Sequence, residues 1–297
     1  MFFDVIIPTY QVSIDRVRRC LDSVLNQTFE DYAIWLCVGT PEGHHLHEEL
    51  VRLLDSEYPE VNYVRQMGIG VGQARNQAVG CGEAPYVAFL DADDYWNPEW
   101  LFEVHSHIID KGFDGTAVLI GRAATKIPMK SMMSGRTWEI DSVIHGHDYD
   151  SWIEPYHFAY VRKFPLYPSF TVVSREDFFR VGGFAEDMAI YEDTIFFSMI
   201  CGFESEDFRK KVVALDCEAG FKENHEDSSV LGGSQSGLIT ERGGEVIDYR
   251  RTQAEIVLDN SSLIDADLPE EVRDFLMDLQ ITRNHWIHDS SEHLYGS

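Results

Sequence analysis

Short apolar segments alternate with helical patterns through the first 121 residues of this 297-residue chain. Strands that alternate with helices pair in parallel through right-handed crossovers. We therefore predict an α/β fold with a mostly parallel central sheet flanked by helices, and we expect the first strand to stop at Pro8. The predicted strands are 3–7, 32–38, 61–64, 86–90 and 118–121, and the predicted helices between them are 14–25, 46–54, 72–79 and 99–111.

Three carboxylates directly follow the fourth apolar segment, in the run Asp91-Ala92-Asp93-Asp94. Open α/β sheets bind ligands at the carboxyl ends of their strands, where carboxylates can hold a metal ion. Hard oxygen ligands suit Mg²⁺ or Mn²⁺, and these ions suit a substrate that carries a diphosphate. A solvated turn that merely ends the strand has the same pattern, so the acids alone leave both interpretations open.

The regular pattern fades between residues 122 and 168, where aromatic residues and prolines are frequent. We interpret this segment as an excursion that lines or covers a site. A second ordered block is predicted as a strand at 170–173 and helices at 175–181 and 191–200. After Gly220 we expect a loop-rich region until two amphipathic helices at about 252–258 and 269–279, which form a C-terminal helical extension. The predicted parts of the chain are thus 1–121, 122–220 and 221–297.

Composition excludes some classes of function. The net charge of −27 disfavours loose binding to nucleic acid or to anionic lipid, because both require a positive field. Five cysteines occur singly, without a CxxC pair, which fits reduced thiols and a cytoplasmic location. The amino terminus shows no secretory pattern, and no apolar run is long enough to cross a bilayer.

Five motifs stand in register along the first two thirds of the chain. They are Val5-Ile6-Ile7-Pro8-Thr9-Tyr10, Cys20-Leu21-Asp22-Ser23-Val24-Leu25-Asn26-Gln27-Thr28, Gly72-Gln73-Ala74-Arg75-Asn76, Phe89-Leu90-Asp91-Ala92-Asp93-Asp94, and Gly182-Gly183-Phe184 with Glu192-Asp193. In these motifs the chain resembles the family 2 glycosyltransferases of GT-A fold. The resemblance implies a nucleotide-sugar donor, a divalent cation held by a DxD-type motif, and transfer with inversion at the anomeric carbon.

The resemblance also implies roles for individual residues. Asp193 would be the general base, and Glu192 would orient the acceptor hydroxyl or its loop. Asp93 would bind Mn²⁺ or Mg²⁺, and Asp91 would lie against the ribose or the cation. The residues that would contact the donor are Pro8, Thr9, Tyr10, Gly39, Arg75, Asp91 and Ala92. Acids such as Glu192 and Asp193 also occur at helix amino termini for dipole reasons alone, which is the alternative interpretation.

Three further expectations concern ligands. His225 resembles a late histidine that some relatives use as an added metal or diphosphate ligand, with a surface loop residue as the alternative. Trp152 and Tyr156 are candidate acceptor-binding residues because aromatic rings pack on sugars, although a core would use the same residues. His44, His45 and His47 are interpreted as a solvated face, since their spacing fits no metal geometry.

One departure from the family concerns the donor base. After the second strand, relatives usually carry an acid that recognises uracil, whereas this chain has Val38-Gly39-Thr40-Pro41-Glu42. A UDP-sugar is still the expected donor, with Glu42 or the backbone of Gly39 or Thr40 as the substitute contact. A saccharide or another hydroxyl compound is the expected acceptor, and the net charge does not favour nucleic acid. The alternatives are a sugar nucleotidyltransferase and a catalytically silent sugar-binding module.

Overall fold

The computed structural model describes residues 1–111, 118–130, 137–144, 166–186, 192–201, 212–223, 239–242 and 245–248. The described strands are β1 (Phe3–Thr9), β2 (Tyr32–Val38), β3 (Val61–Arg65), β4 (Tyr86–Phe89), β5 (Tyr95–Trp96), β6 (Val118–Lys130), β7 (Thr137–Ile144), β8 (Thr171–Ser174), β9 (Val212–Lys222), β10 (Ile239–Arg242) and β11 (Glu245–Asp248). The described helices are α1 (Ile14–Leu25), α2 (His45–Glu57), α3 (Val71–Cys81), α4 (Trp100–Lys111), α5 (Arg175–Arg180) and α6 (Glu192–Cys201), with a 3₁₀ turn at Pro168–Phe170.

The chain divides into two compact units, and nearly all described elements belong to the first. This unit contains one mixed sheet with the strand order β3-β2-β1-β4-β8-β6-β9-β5, and β7 pairs with β6. Strands β3, β2, β1 and β4 are parallel, as predicted. Beyond β4 the pairing is antiparallel except between β6 and β9. In the second unit, the structure describes the antiparallel hairpin of β10 and β11.

Two apolar layers cover the faces of the sheet. Alternate residues of β1, including Val5 and Ile7, join a core that also contains residues of α1, α2 and α4. On the other face, Phe89 of β4 contacts the rings of Phe178, Phe184 and Phe196 at centroid distances of 5.3–6.2 Å. Phe89 lies on this face because alternate side chains of a strand point to opposite faces of the sheet. The aromatic cluster thus packs α5, the following turn and α6 against the end of β4.

Two expectations about the strands are wrong. β1 does not stop at Pro8, because Pro8 stays in register with Cys37 of β2. The N–H of Leu90, just after β4, donates to the carbonyl of Ile6, so the missing N–H of Pro8 falls where β4 has already ended. β6 continues to Lys130 instead of ending at Gly121, because it pairs with β7. In the predicted loop-rich region after Gly220, the structure describes the end of β9 at Lys222 and the hairpin of β10 and β11.

The helix predictions for the first unit are confirmed to within a few residues, whereas those for the C-terminal region lie outside the described residues. The bounds of α1 agree with the prediction, and the other helices of the first unit differ by a few residues. The predicted helices at 252–258 and 269–279, and therefore the helical extension, lie outside the described residues. The three-part division of the chain stays a prediction. None of the described helices is both long and apolar enough to cross a membrane.

Candidate functional site

The acids after β4 form a tight turn at the carboxyl edge of the sheet. The backbone N–H of Asp94 donates to the carbonyl of Asp91 at 3.0 Å, which closes the turn. Ala92 is buried at 2% exposure, and the N–H of Asp91 donates to Ser169 Oγ at 3.1 Å. We call residues 91–94 the acid turn. Its backbone is therefore fixed before any ligand arrives, which is a condition for a precise binding site.

Arg75 of α3 connects the acid turn to the start of α6. Its guanidinium lies 2.7 Å from Asp91 Oδ1 and 2.8 Å from Glu192 Oε1. Arg75 itself is only 3% exposed, and its guanidinium lies over the ring of Phe184 at 5.0 Å. The bridge therefore connects the two acidic segments. Removing any one of its members would leave a buried charge unpaired, which is destabilising.

The bridge affects its three members differently. Burial disfavours the charge of Arg75, but Asp91 and Glu192 outweigh it and raise the arginine pKa. The pKa of Asp91 is lowered, because Arg75 and Lys222 together overcome the cost of burial. The pKa of Glu192 is raised to about 7 by burial and by the adjacent charge of Asp193. Asp91 thus stays ionised, while Glu192 titrates near neutral pH.

Asp193 lies in the first turn of α6, next to Glu192, and is partly exposed. Its charge acts on Arg75 and on Tyr167. The charges of Asp94 and Lys222 act on the same tyrosine. Asp193 therefore belongs to the electrostatic environment of the acid turn.

Helix α3 also fixes the turn that precedes α6. Asn76 donates to the carbonyl of Phe184 and accepts from its N–H, both at 2.8 Å. Gly182 and Gly183 have φ of +84° and +76°, a region that glycine adopts without strain. A Cβ on Gly72 would lie 2.7 Å from the carbonyl oxygen of Ala185, so the helix and the turn are in close contact.

Four of the residues predicted to contact the donor, Pro8, Thr9, Tyr10 and Gly39, lie at the carboxyl ends of β1 and β2. Thr9 is buried and its carbonyl accepts from the N–H of Gly39 at 2.9 Å, while Tyr10 is 56% exposed. A Cβ on Gly39 would lie 2.2 Å from Gln66 Oε1 and 3.4 Å from Tyr10 Cδ2. These four residues thus lie at the strand ends where α/β folds commonly bind ligands.

Glu42 in the loop after β2 and His47 in α2 differ from expectation. Glu42 forms an ion pair with Arg65 at the end of β3, so its carboxylate already has a partner. The interpretation of the histidines as a solvated face is wrong for His47, which is 6% exposed. Its Nδ1 lies 2.9 Å from the carbonyl oxygen of Thr40, because α2 packs against the loop after β2.

Asp94, the last residue of the acid turn, is fully buried. It accepts from Ser169 Oγ at 2.6 Å and from the N–H of Glu223 at 2.9 Å, and Lys222 Nζ lies 3.8 Å away. Burial and the neighbouring Asp93 and Asp91 raise the pKa of Asp94 to about 8, although Lys222 opposes this shift. Asp94 therefore joins the turn to the end of β9.

Asp91 and Asp93 are the described carboxylates that fit a divalent cation. Both are partly exposed at the strand end. Within the described ranges, no group of three His, Cys, Asp or Glu side chains could hold a metal ion. This donor set fits Mg²⁺, which proteins commonly bind through one or two carboxylates while substrate phosphates and water complete the shell. The predicted ligand His225 and the predicted acceptor residues Trp152 and Tyr156 lie outside the described residues.

Sequence reasoning did not single out Ser169, Tyr167 or Lys222. Ser169 and Lys222 contact the acid turn across sequence separations of 75 and 128 residues, counted from Asp94. A local pattern cannot report such contacts. The one available signal was that Lys222 lies three residues before the candidate His225.

Comparison with known proteins agrees with this geometry. The sequence profile described as "Glycosyl transferase family 2" matches residues 4–169, more than half of the chain. The chain belongs to this family. As a family 2 protein it shares 35% identity over 103 residues with the succinoglycan biosynthesis protein ExoW of Rhizobium meliloti, covering 34% of this chain and 32% of ExoW. It shares 33% identity over 96 residues with a chondroitin synthase of Escherichia coli, covering 31% of this chain and 13% of that protein.

Solved structures show the same fold. S. aureus TarS 1–349 in complex with UDP-GlcNAc is similar with a TM-score of 0.60 and 16% identity, covering 94% of this chain and 72% of that one. A longer TarS structure has a TM-score of 0.56 and 17% identity, covering 95% of this chain and 43% of that chain. The α/β architecture of this family 2 protein is therefore that of the GT-A glycosyltransferases. The chain spans about a third of ExoW and less of the chondroitin synthase.

Proposed function

We propose that this protein is a metal-dependent, inverting glycosyltransferase that moves a sugar from a UDP-sugar to an acceptor hydroxyl. The observation that carries the proposal is the bridge of Arg75 between Asp91 and Glu192. It brings the acid turn, suited to a cation and a diphosphate, beside the acids that begin α6. The proposed site for the leaving group and the candidate base thus lie close together at the carboxyl ends of the strands, as glycosyl transfer requires.

The assignment of a UDP-sugar as the donor rests on the residues at the carboxyl ends of β1 and β2 and on the relatives. The TarS structures contain UDP and UDP-GlcNAc, which supports a uridine nucleotide for this chain as well. Because Glu42 is paired with Arg65, we assign base contact to the backbone around Gly39 and to the exposed Tyr10. Pro8 and Thr9 frame the same end of β1.

Asp93 and Asp91 would hold Mn²⁺ or Mg²⁺, and His225 is proposed as an additional ligand. When bound, the cation would supply a Lewis acid that neutralises charge on the diphosphate. Asp91 contributes from a fixed position, because one of its oxygens is bonded to Arg75.

Asp193 is proposed as the general base. It accepts the proton of the acceptor hydroxyl while the hydroxyl oxygen forms a bond to the anomeric carbon of the sugar. The bond from that carbon to the diphosphate oxygen breaks at the same time, and the nucleoside diphosphate leaves with the electron pair. Attack on the face opposite the leaving group inverts the configuration. Glu192, held by Arg75, orients this end of α6.

The acceptor is proposed to be a saccharide or another compound with a free hydroxyl. Trp152 and Tyr156 are the proposed acceptor contacts. The net charge of −27 does not favour a nucleic-acid acceptor. A cytoplasmic location remains a prediction.

The experiment is transfer and donor hydrolysis by the purified protein with Mn²⁺ and a panel of nucleotide sugars. Asp193→Asn is expected to bind UDP like the wild type but to lose about 10²- to 10⁴-fold in transfer rate, the usual contribution of a general base. Asp15→Asn is the matched control, since Asp15 is an exposed acid in the first turn of another helix, α1.

Wild-type activity in Asp193→Asn would remove the base assignment. Absence of both transfer and hydrolysis with every donor would contradict the enzyme and favour a sugar-binding module. Release of pyrophosphate would instead support a nucleotidyltransferase.

A further inference from the structure

The end of β9 is built into the acid turn. Thr125 Oγ1 of β6 donates to the carbonyl of Lys222 at 2.9 Å, and the N–H of Glu223 donates to Asp94 Oδ1 at 2.9 Å. Asp94 is fully buried and is also fixed by Ser169. The peptide group that joins Lys222 to Glu223 is therefore held through both its carbonyl and its N–H. This arrangement preorganises the side chain of Lys222.

The ammonium group of Lys222 lies beside the acid turn, and its side chain is only 13% exposed. Its Nζ forms an ion pair with Asp94 Oδ2 at 3.8 Å, which is too long for a hydrogen bond, and lies 5.0 Å from the centre of the Tyr167 ring. An ammonium carries three donors, so an ion pair at this distance leaves donor capacity for a ligand.

The charges around Lys222 keep it ionised. Burial opposes the charge, but Asp94, Asp91 and Asp93 outweigh it and raise the lysine pKa. Asp91 already has Arg75 as its close partner. Lys222 is therefore a mostly buried positive charge beside the place where the proposed diphosphate would bind. A phosphate oxygen is a ligand that satisfies both the charge and the donors.

We propose that Lys222 donates a hydrogen bond to the diphosphate of the nucleotide-sugar donor, and that Asp94 is the positioning residue that holds it there. This inference rests on the proposed function for the identity of the donor. Lys222 acts beside the cation and retains part of the diphosphate affinity when the cation is removed. Asp94 serves the site through the placement of Lys222 and the end of β9.

The test compares wild type, Lys222→Met, Lys222→Arg and Arg122→Gln by titration calorimetry with UDP, uridine and inorganic pyrophosphate. Each titration is done with Mg²⁺ and again with EDTA. Arg122→Gln is the control for loss of a positive charge, because Arg122 lies on the neighbouring β6, is 40% exposed and pairs with the exposed Asp216. Lys222→Gln replaces Lys222→Met if the latter does not fold.

The expected result is a loss of about tenfold or more in UDP and pyrophosphate affinity for Lys222→Met, the size of a charge-assisted hydrogen bond. The relative loss should be larger in EDTA. Uridine affinity should not change, Lys222→Arg should recover most of the loss, and Arg122→Gln should bind like the wild type. A merely structural role for Lys222 would instead lower uridine affinity equally.

Unchanged UDP and pyrophosphate affinity in Lys222→Met would overturn the inference even if the wild type transfers sugar. Equal losses for UDP and uridine would overturn it as well, as would a wild type that binds neither UDP nor pyrophosphate. A wild type that binds pyrophosphate through Lys222 but transfers no sugar would support the inference and contradict the proposed function.

Discussion

Arg75 shows how one buried residue can connect the acidic segments of a candidate site. The resemblance predicts that it contacts the nucleotide, and that role stays a prediction. In the structure its two terminal nitrogens are bonded to Asp91 and Glu192, and the residue is 3% exposed. A guanidinium with a rigid fork suits such a double contact better than a lysine would. We infer that Arg75 acts mainly through the two acids that it holds.

Glu192 gives the site a dependence on pH that affects stability. Its pKa is raised from an ordinary 4.5 to about 7 by burial and by Asp193. Between these values the folded protein binds more protons than the unfolded chain. The contribution of Glu192 to stability is therefore greatest at low pH and is lost as the pH rises toward 7.

Replacing Glu192 by Gln should remove this dependence. Relative to the wild type, Glu192→Gln should gain stability as the pH rises from 5 to 8, by on the order of 2 kcal/mol. The measurement is the free energy of unfolding of both proteins in urea across that range. If the free energies of unfolding of the two proteins change in parallel between pH 5 and 8, Glu192 does not titrate in that range.

At the scale of elements, α3 is the helix on which the site depends. It carries Arg75, which reaches both acids, and Asn76, which fixes the turn at Phe184. Its sequence was recognisable as a motif, but its packing was not. The close approach of Gly72 to the backbone of Ala185 joins positions that are 113 residues apart in the sequence, so no local pattern reports it.

Gly72→Ala should therefore lower the stability and the transfer rate of the protein by disturbing the contact between α3 and the turn before α6. Its Cβ would lie 2.7 Å from a backbone oxygen, so the turn before α6 must move. We expect a loss of about 1–3 kcal/mol in unfolding free energy and a fall in transfer rate larger than any fall in UDP affinity. Chemical denaturation and steady-state kinetics measure both effects.

Gly80→Ala is the control in the same helix, because a Cβ there meets no atom within 4 Å. It should be neutral or stabilising by up to about 1 kcal/mol. Equal behaviour of the two variants would contradict the proposed contact between α3 and the turn.

Elements with their own periodic pattern could be predicted from sequence, and those defined by distant pairing could not. α1 and β2 have their predicted bounds because apolar spacing determines them locally. β5 contains two residues and exists through its pairing with β9. β6 extends to Lys130 because β7 and β9 supply its hydrogen bonds. The acids of the site were predictable as motifs, whereas Lys222 was not.

At the scale of the first unit, the two ends of β1 carry different tasks. At its start, the buried Asp4 accepts from Trp35 Nε1 and the N–H of Ala84, both at 2.8 Å, and pairs with Arg175. This network ties β1, β2 and α5 together. At its other end, Thr9 lies on the edge where the nucleotide is expected. The stabilising network and the expected ligand site thus lie at opposite ends of the same strands, as in other α/β folds.

The most direct test of the central claim is a crystal structure of the protein with Mn²⁺ and a non-hydrolysable UDP-sugar analogue. We predict the cation on Asp93 and Asp91, the diphosphate beside Lys222, and the anomeric carbon facing the carboxylate of Asp193. A nucleotide bound away from the acid turn, or an anomeric carbon beyond reach of any acceptor held by Asp193, would contradict the account.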